Sequence, residues 1–255
     1  MAKIHTRTFR VRWSELDANG RFAPENYLRY LIETAYDWGD SLGLGKDAYQ
    51  DLGIYWLIRE INLQILDTPQ HNDVVDLTIW MVNWQKVRGS RCFEVRNPAT
   101  GQLLAQGCQK IVVMDQKSNR PTTLGEDFIG VFKLEEPKQI NLPAYSFSPI
   151  TPPARVTELQ VRWGDLDAQD HVNNAVYLGY ARQAVAELAT MRTDQPVLAP
   201  TPSYLQIQYS YPAVWGDVLA ISVYEERTAD GQDYKLVKMA KASSGELVAD
   251  CVLVF

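Results

Sequence analysis

The chain repeats itself. Val11-Arg-Trp-Ser-Glu-Leu-Asp-Ala18 aligns without gaps to Val161-Arg-Trp-Gly-Asp-Leu-Asp-Ala168, an offset of 150 residues. The register carries on, since Tyr27, Leu28 and Tyr30 match Tyr177, Leu178 and Tyr180. Toward the end of each half, Thr100-Gly-Gln-Leu-Leu-Ala105 has a counterpart in Ser244-Gly-Glu-Leu-Val-Ala249. A chain of 255 residues holding two such copies is expected to build one supersecondary plan twice. Two copies are too few for a solenoid, so a fused pseudo-dimer is the natural arrangement.

The plan can be read from apolar periodicity. Residues 4–13 alternate as a strand, and Pro24-Glu-Asn26 opens a segment in which Tyr27, Leu31, Ala35, Trp38 and Leu42 form one helical stripe. Gly43 and Gly45 supply its stop. Strand patterns follow at 55–66, 74–84, 89–97 and 103–115, with Asn97-Pro-Ala-Thr-Gly101 turning between the last two. Prolines 137, 143, 149, 152 and 153 exclude a continuous helix or central strand, so residues 131–155 read as a linker that wraps across the surface. The second copy repeats the order: strand 156–163, a helix from about 174 to 190 with Tyr177, Ala181, Val185 and Leu188 buried, then strands near 202–211, 217–226, 233–242 and 246–255. The predicted class is α+β, a long helix on an antiparallel sheet, with domains at 1–130 and 156–255.

Composition narrows the function. The 46% apolar content suits a large core, and a net charge of −6 argues against non-specific nucleic-acid binding. Lys86, Arg88, Arg91, Arg96, Lys110, Lys117 and Arg120 cluster in sequence, either as a solvated set of strand faces or as a docking patch for an acidic partner. No stretch approaches the roughly 18 apolar residues that span a bilayer, and residues 1–10 lack an apolar signal core, so a cytoplasmic location is expected. Cys92, Cys108 and Cys251 have no metal-type spacing and read as unpaired buried thiols. Neither a metal nor a cofactor is implied.

The polar loop before the second helix is where chemistry is expected. It packs Asp165, Asp167, Gln169, Asp170, His171, Asn173 and Asn174 into ten residues, with the only histidine of the second half. A loop that merely turns gains nothing from an imidazole beside carboxylates and amides. The competing reading is a helix start, with Asn173 or Asn174 as N-cap and Asp165 as a brace. The first copy keeps Asp17 and Asn19 but has Arg21 where the second has His171, and reads as a degenerate loop. His5 and His71 read as structural.

Asp165-Leu-Asp-Ala-Gln-Asp-His-Val-Asn-Asn174 resembles the Asp-x-Asp-x-Asn-x-His-Val-Asn-Asn pattern of the hotdog-fold acyl-acyl-carrier-protein thioesterases, built as double hotdogs. Tyr209-Ser-Tyr-Pro-Ala-Val-Trp-Gly-Asp217 is similar to a second stretch common in hotdog thioesterases, and the resemblance spans nearly the whole chain. It implies hydrolysis of fatty acyl-carrier-protein thioesters with acyl carrier protein as partner; a homodimer of pseudo-dimers is one assembly the sequence leaves open. It also implies Asp167 and His171 as catalytic residues, with Gln169 where the plant enzymes have Asn. Pro212 and Ala213 stand where those enzymes carry a Glu-Cys pair, so neither a Glu base nor a Cys nucleophile carries over. Asp167 would serve as base or nucleophile, and backbone N–H groups near Asn173–Val176 as an oxyanion hole. Asn173 and Asn174 would touch substrate, while Trp56 and Ile58 would line an acyl tunnel supplied by the first copy. An acyl-CoA thioesterase and a non-catalytic acyl-binding module are the alternatives.

Overall fold

The computed structural model describes residues 3–132 and 137–255; residues 133–136 of the linker lie outside the described residues. The chain divides into two compact units. One comprises residues through Asp17 together with Tyr27–Leu142, the other Ala18–Asn26 with Pro143–Phe255.

In the first unit, β1 (Ile4–Arg10) is followed by α1 (Glu25–Ser41), α2 (Lys46–Asp51), β2 (Ile54–Ile65), β3 (Val74–Gln85), β4 (Arg88–Arg96), β5 (Leu103–Asp115), a short β6 (Arg120–Pro121) and α3 (Glu126–Gly130). The antiparallel order is β1-β3-β4-β5-β2, with β6 on β5. Chain neighbours β1 and β2 thus sit at opposite edges, and the intervening α1 crosses the sheet. Alternation explains the packing: Ile61, Leu63, Leu77, Ile79, Phe93 and Val95 share one fully buried face. Tyr27, Leu28, Leu31 and Trp38 of α1 are buried, and Phe9 of β1 stacks on Tyr30 at 3.9 Å. Gly107 is required in β5, because an added Cβ would meet the Phe93 ring and the Asn62 carbonyl.

The second unit repeats the plan. β7 (Arg155–Gln160), α4 (Asn174–Thr193), β8 (Tyr204–Tyr209), β9 (Val218–Arg227), β10 (Asp233–Lys241) and β11 (Leu247–Val254) form a sheet of order β7-β9-β10-β11-β8. Tyr177, Ala181, Val185 and Leu188 of α4 are buried as expected from the stripe. Even the ties between edge strand and helix recur. His5 Nε2 bonds Asp37 at 2.7 Å, and 150 positions on, Arg155 bonds Glu187 at 2.8 Å. His5 is therefore structural through a carboxylate partner, which its strand pattern did not reveal.

The linker covers the sheet faces away from the helices. In the first unit Trp80 Nε1 donates to the Lys138 carbonyl at 2.8 Å and Ile140 packs on Trp80, Val82 and Cys92. In the second, Tyr145 lies against Tyr204 and Tyr234, and Lys238 Nζ donates to the Phe147 carbonyl.

One expectation is corrected. Cys92 and Cys108 are not free thiols; they form a disulfide between β4 and β5, directly opposite in register with Cα atoms 4.0 Å apart. Cys251 is a buried free thiol, as read from its apolar strand. Of the basic residues clustered in the first half, Arg96 pairs with Glu94, Lys110 with Glu60, and Arg91 is turned to the helix-covered face. Among the described residues no helix is long and apolar enough to cross a membrane.

Candidate active site

The loop between β7 and α4 is shaped by a carboxylate that is fully occupied. After Val161 the chain makes a single 3-10 turn, Trp163–Asp165. Asp165 accepts from the backbone N–H and the guanidinium of Arg162 and, at 2.6 Å, from the Tyr180 hydroxyl. Burial alone would raise its pKa, but the bonds from Arg162 and Tyr180 outweigh it and hold the carboxyl below its ordinary value. The same device occurs in the first copy, where Glu15 accepts from Arg12 and from the Tyr30 hydroxyl at 2.6 Å. Asp165 is thus a brace.

Beyond the brace the chain reverses tightly. Asp167 N donates to the His171 carbonyl at 2.9 Å, Asp170 takes a positive φ of 65°, and Leu166 bridges to Val172. The reversal brings three polar side chains together. Asp167 Oδ1 accepts from the Gln169 backbone N–H at 2.9 Å and lies 3.7 Å from His171 Nδ1. His171 Nε2 lies 3.2 Å from Gln169 Oε1. Asp167 and His171 side chains are 27% and 28% exposed, open enough to meet a substrate yet partly shielded. A gap of 3.7 Å exceeds a direct hydrogen bond and leaves the two groups within ion-pair range.

The stretch Tyr211–Asp217 backs this loop. Val172 N donates to the Ala213 carbonyl, and Ala213 N donates to the Tyr177 hydroxyl at 3.1 Å. Burial pushes the Tyr177 phenol up to about 12, so it is neutral and serves as an acceptor.

Asn173 is the N-cap of α4: its Oδ1 accepts from Ala175 N at 3.0 Å. The expected supply of free donors at this helix start is smaller than the sequence suggested. Asn173 N donates to the Asp165 carbonyl and Val176 N to the Asn173 carbonyl, which leaves the N–H of Asn174 without an acceptor among the described residues. The Asn174 carbonyl accepts from the Tyr209 hydroxyl. Trp56 and Ile58 belong to the first unit, on β2, where each retains partial exposure. In the first copy's loop, Asn19 Nδ2 donates to the Ala199 carbonyl at 3.3 Å, and Arg21 takes the position of the imidazole.

Comparison with known proteins identifies the family and the fold. Residues 2–132 match the family model for the acyl-ACP thioesterase N-terminal domain, and residues 151–250 that for the C-terminal domain. An oleoyl-acyl carrier protein thioesterase of Coriandrum sativum is 23% identical over 193 residues, covering 69% of this chain and 52% of that protein. A palmitoyl-acyl carrier protein thioesterase of Arabidopsis thaliana is 23% identical over 192 residues, covering 69% and 46%. The chain spans about half the length of these plant relatives. Among solved structures, an acyl-ACP thioesterase of Bacteroides thetaiotaomicron superposes with a TM-score of 0.78 at 18% identity, covering 99% of this chain and 98% of that one. A 12:0-ACP thioesterase of Umbellularia californica gives 0.80 at 18%, covering 99% and 93%. These likenesses show a hotdog-type fold.

Proposed function

The chain belongs to the acyl-ACP thioesterase family, and from that premise we propose that it hydrolyses fatty acyl-acyl-carrier-protein thioesters to free fatty acid and carrier thiol. The observation that carries the reading is the division of labour within one loop. Asp165 is committed to the scaffold, whereas the side chains of Asp167, Gln169 and His171 meet one another at the tip of the loop, where Asp167 also accepts from the Gln169 backbone N–H. The first copy has the same brace and lacks the imidazole, so the fold does not need His171.

The roles follow from the bonding. With Gln169 Oε1 accepting from Nε2–H, the neutral imidazole presents an unprotonated Nδ1 beside Asp167. A water held by Nδ1 and the carboxylate attacks the thioester carbonyl carbon while its proton passes to the imidazole. The carboxylate of Asp167 then stabilises the imidazolium, and collapse of the tetrahedral intermediate expels the thiolate, a good leaving group. The Asn174 N–H at the helix start is the donor placed for the developing oxyanion, aided by the α4 dipole. The first unit takes the acyl chain, with Trp56 and Ile58 among its walls, and the protein works in the cytoplasm with acyl carrier protein as its partner.

The test is thiol release from matched carrier-protein and coenzyme A thioesters of several chain lengths. Faster hydrolysis of carrier-protein substrates is expected, falling on the order of 100-fold or more in Asp167→Asn and His171→Ala. Wild-type rates in both variants would refute the site. A preference for coenzyme A would assign the protein to acyl-CoA hydrolysis, and binding without turnover to a lipid-binding role.

A further inference from the structure

On the helix-covered face of the first sheet, two polar side chains stand among apolar ones. Arg91 of β4 and Gln109 of β5 are opposite in register, flanked on the same face by Ile111 and Val113, Trp56 and Ile58, and Met81. Tyr49 packs edge-on to Trp56 at 6.1 Å, and Trp56 edge-on to Trp84 at 5.7 Å. Gln109 is 0% exposed; its Oε1 accepts from Arg91 Nε, and its Nε2 is buried without a hydrogen-bond partner. Among the described residues, no carboxylate pairs with the Arg91 guanidinium. Burial pushes its pKa down to about 10, so it stays charged at neutral pH.

This end of the face is also more open to solvent. Tyr49, Trp56, Ile58, Trp84 and Arg91 all keep partial exposure, although Ile61, Leu63, Ile79 and Phe93 of the same face have none. The unmet capacity is all of one kind. A guanidinium has only donors, and the free end of Gln109 is a donor as well, so the missing ligand is an acceptor. The partly exposed Arg91 guanidinium has no paired carboxylate among the described residues, and a carboxylate matches its planar fork with two oxygens.

We propose that the first unit contains a carboxylate subsite at Arg91 and Gln109, which binds the charged end of an alkyl chain lying along Trp56, Ile58 and Trp84. This rests on the reading that the first unit takes an acyl chain. The carboxylate has two possible sources: the free fatty acid product, or an acyl chain carrying a second carboxylate at its far end.

Calorimetric titration of the full chain with dodecanoate and with dodecan-1-ol tests the subsite without relying on turnover. The wild type should prefer the carboxylate by about tenfold or more, as expected for a charge-assisted pair. Arg91→Met should abolish that preference; Arg91→Lys should retain part of it. Equal affinities in the wild type, or an unchanged preference in Arg91→Met, would overturn the proposal. Two kinetic arms separate the sources. Inhibition by dodecanoate that Arg91→Met relieves identifies the product, whereas a higher kcat/KM for ω-carboxyacyl than for plain acyl thioesters identifies the substrate. Loss of hydrolysis with the carboxylate preference intact would count against the thioesterase reading alone. The reverse would count against the subsite alone.

Discussion

The brace carboxylates show how much one residue sets here. Asp165 and Glu15 are each nearly buried, and each satisfies a guanidinium, a backbone N–H and a tyrosine hydroxyl. Removing one hydroxyl, in Tyr180→Phe or Tyr30→Phe, is expected to cost about 1.5–3 kcal/mol, read from urea unfolding. The sign with pH is fixed by the lowered Asp165 pKa. Its contribution is fully present above the ordinary carboxylate value of about 4 and is lost as pH falls through the lower folded value. The stability gap between wild type and Asp165→Asn should therefore narrow on acidification below pH ~4. Arg162, Asp165 and Tyr180 could all be seen to match Arg12, Glu15 and Tyr30, but that they touch one another could not. The disulfide was nearer to hand. The Asn97–Gly101 turn implied a hairpin, yet a bulge between Val95 and Arg96 sets the register that places Cys92 opposite Cys108.

At the scale of elements, the candidate loop leads into α4, whose first turn determines where the Asn174 N–H points. Asn173→Ala removes the cap and should cost about 1 kcal/mol, with a matching drop in Tm and slower hydrolysis; Asn173→Asp should restore most of the stability. An unchanged Tm in Asn173→Ala would mean that the cap is solvated in solution. Long amphipathic segments were legible because apolar residues recur over many turns, as with Tyr177, Ala181, Val185 and Leu188. The helices at Lys46–Asp51 and Glu126–Gly130 were not, because six and five residues hold too few turns for a period to register. The 3-10 turns at Trp13 and Trp163 escaped notice for the same reason, and they set the direction in which each loop leaves its strand.

At the scale of the whole molecule, the spatial units do not follow the sequence halves. Ala18–Asn26 belongs with the second unit, where Glu25 pairs with Arg182 at 2.9 and 3.0 Å, both side chains nearly buried. No periodicity in residues 18–26 announces this, since it depends on a partner 157 positions away. Residues 143–255 expressed alone would therefore lose a buried counter-charge, at a cost of about 3–5 kcal/mol. Arg182→Met should recover much of that loss in the fragment, as followed by urea unfolding; a fragment as stable as the same region in the full chain would contradict the pairing.

Because the brace in each copy anchors its loop apart from the side chains proposed to react, the proposed function makes activity and persistence largely separable in this protein. On the proposed function, a substitution at Asp167 or His171 is expected to lower turnover while leaving a folded protein at normal abundance. A substitution at Tyr180 instead lowers the number of molecules more than the rate of each. Under the proposed function, variants of the first kind would compete with intact copies for the proposed carrier, whereas those of the second kind would simply be cleared.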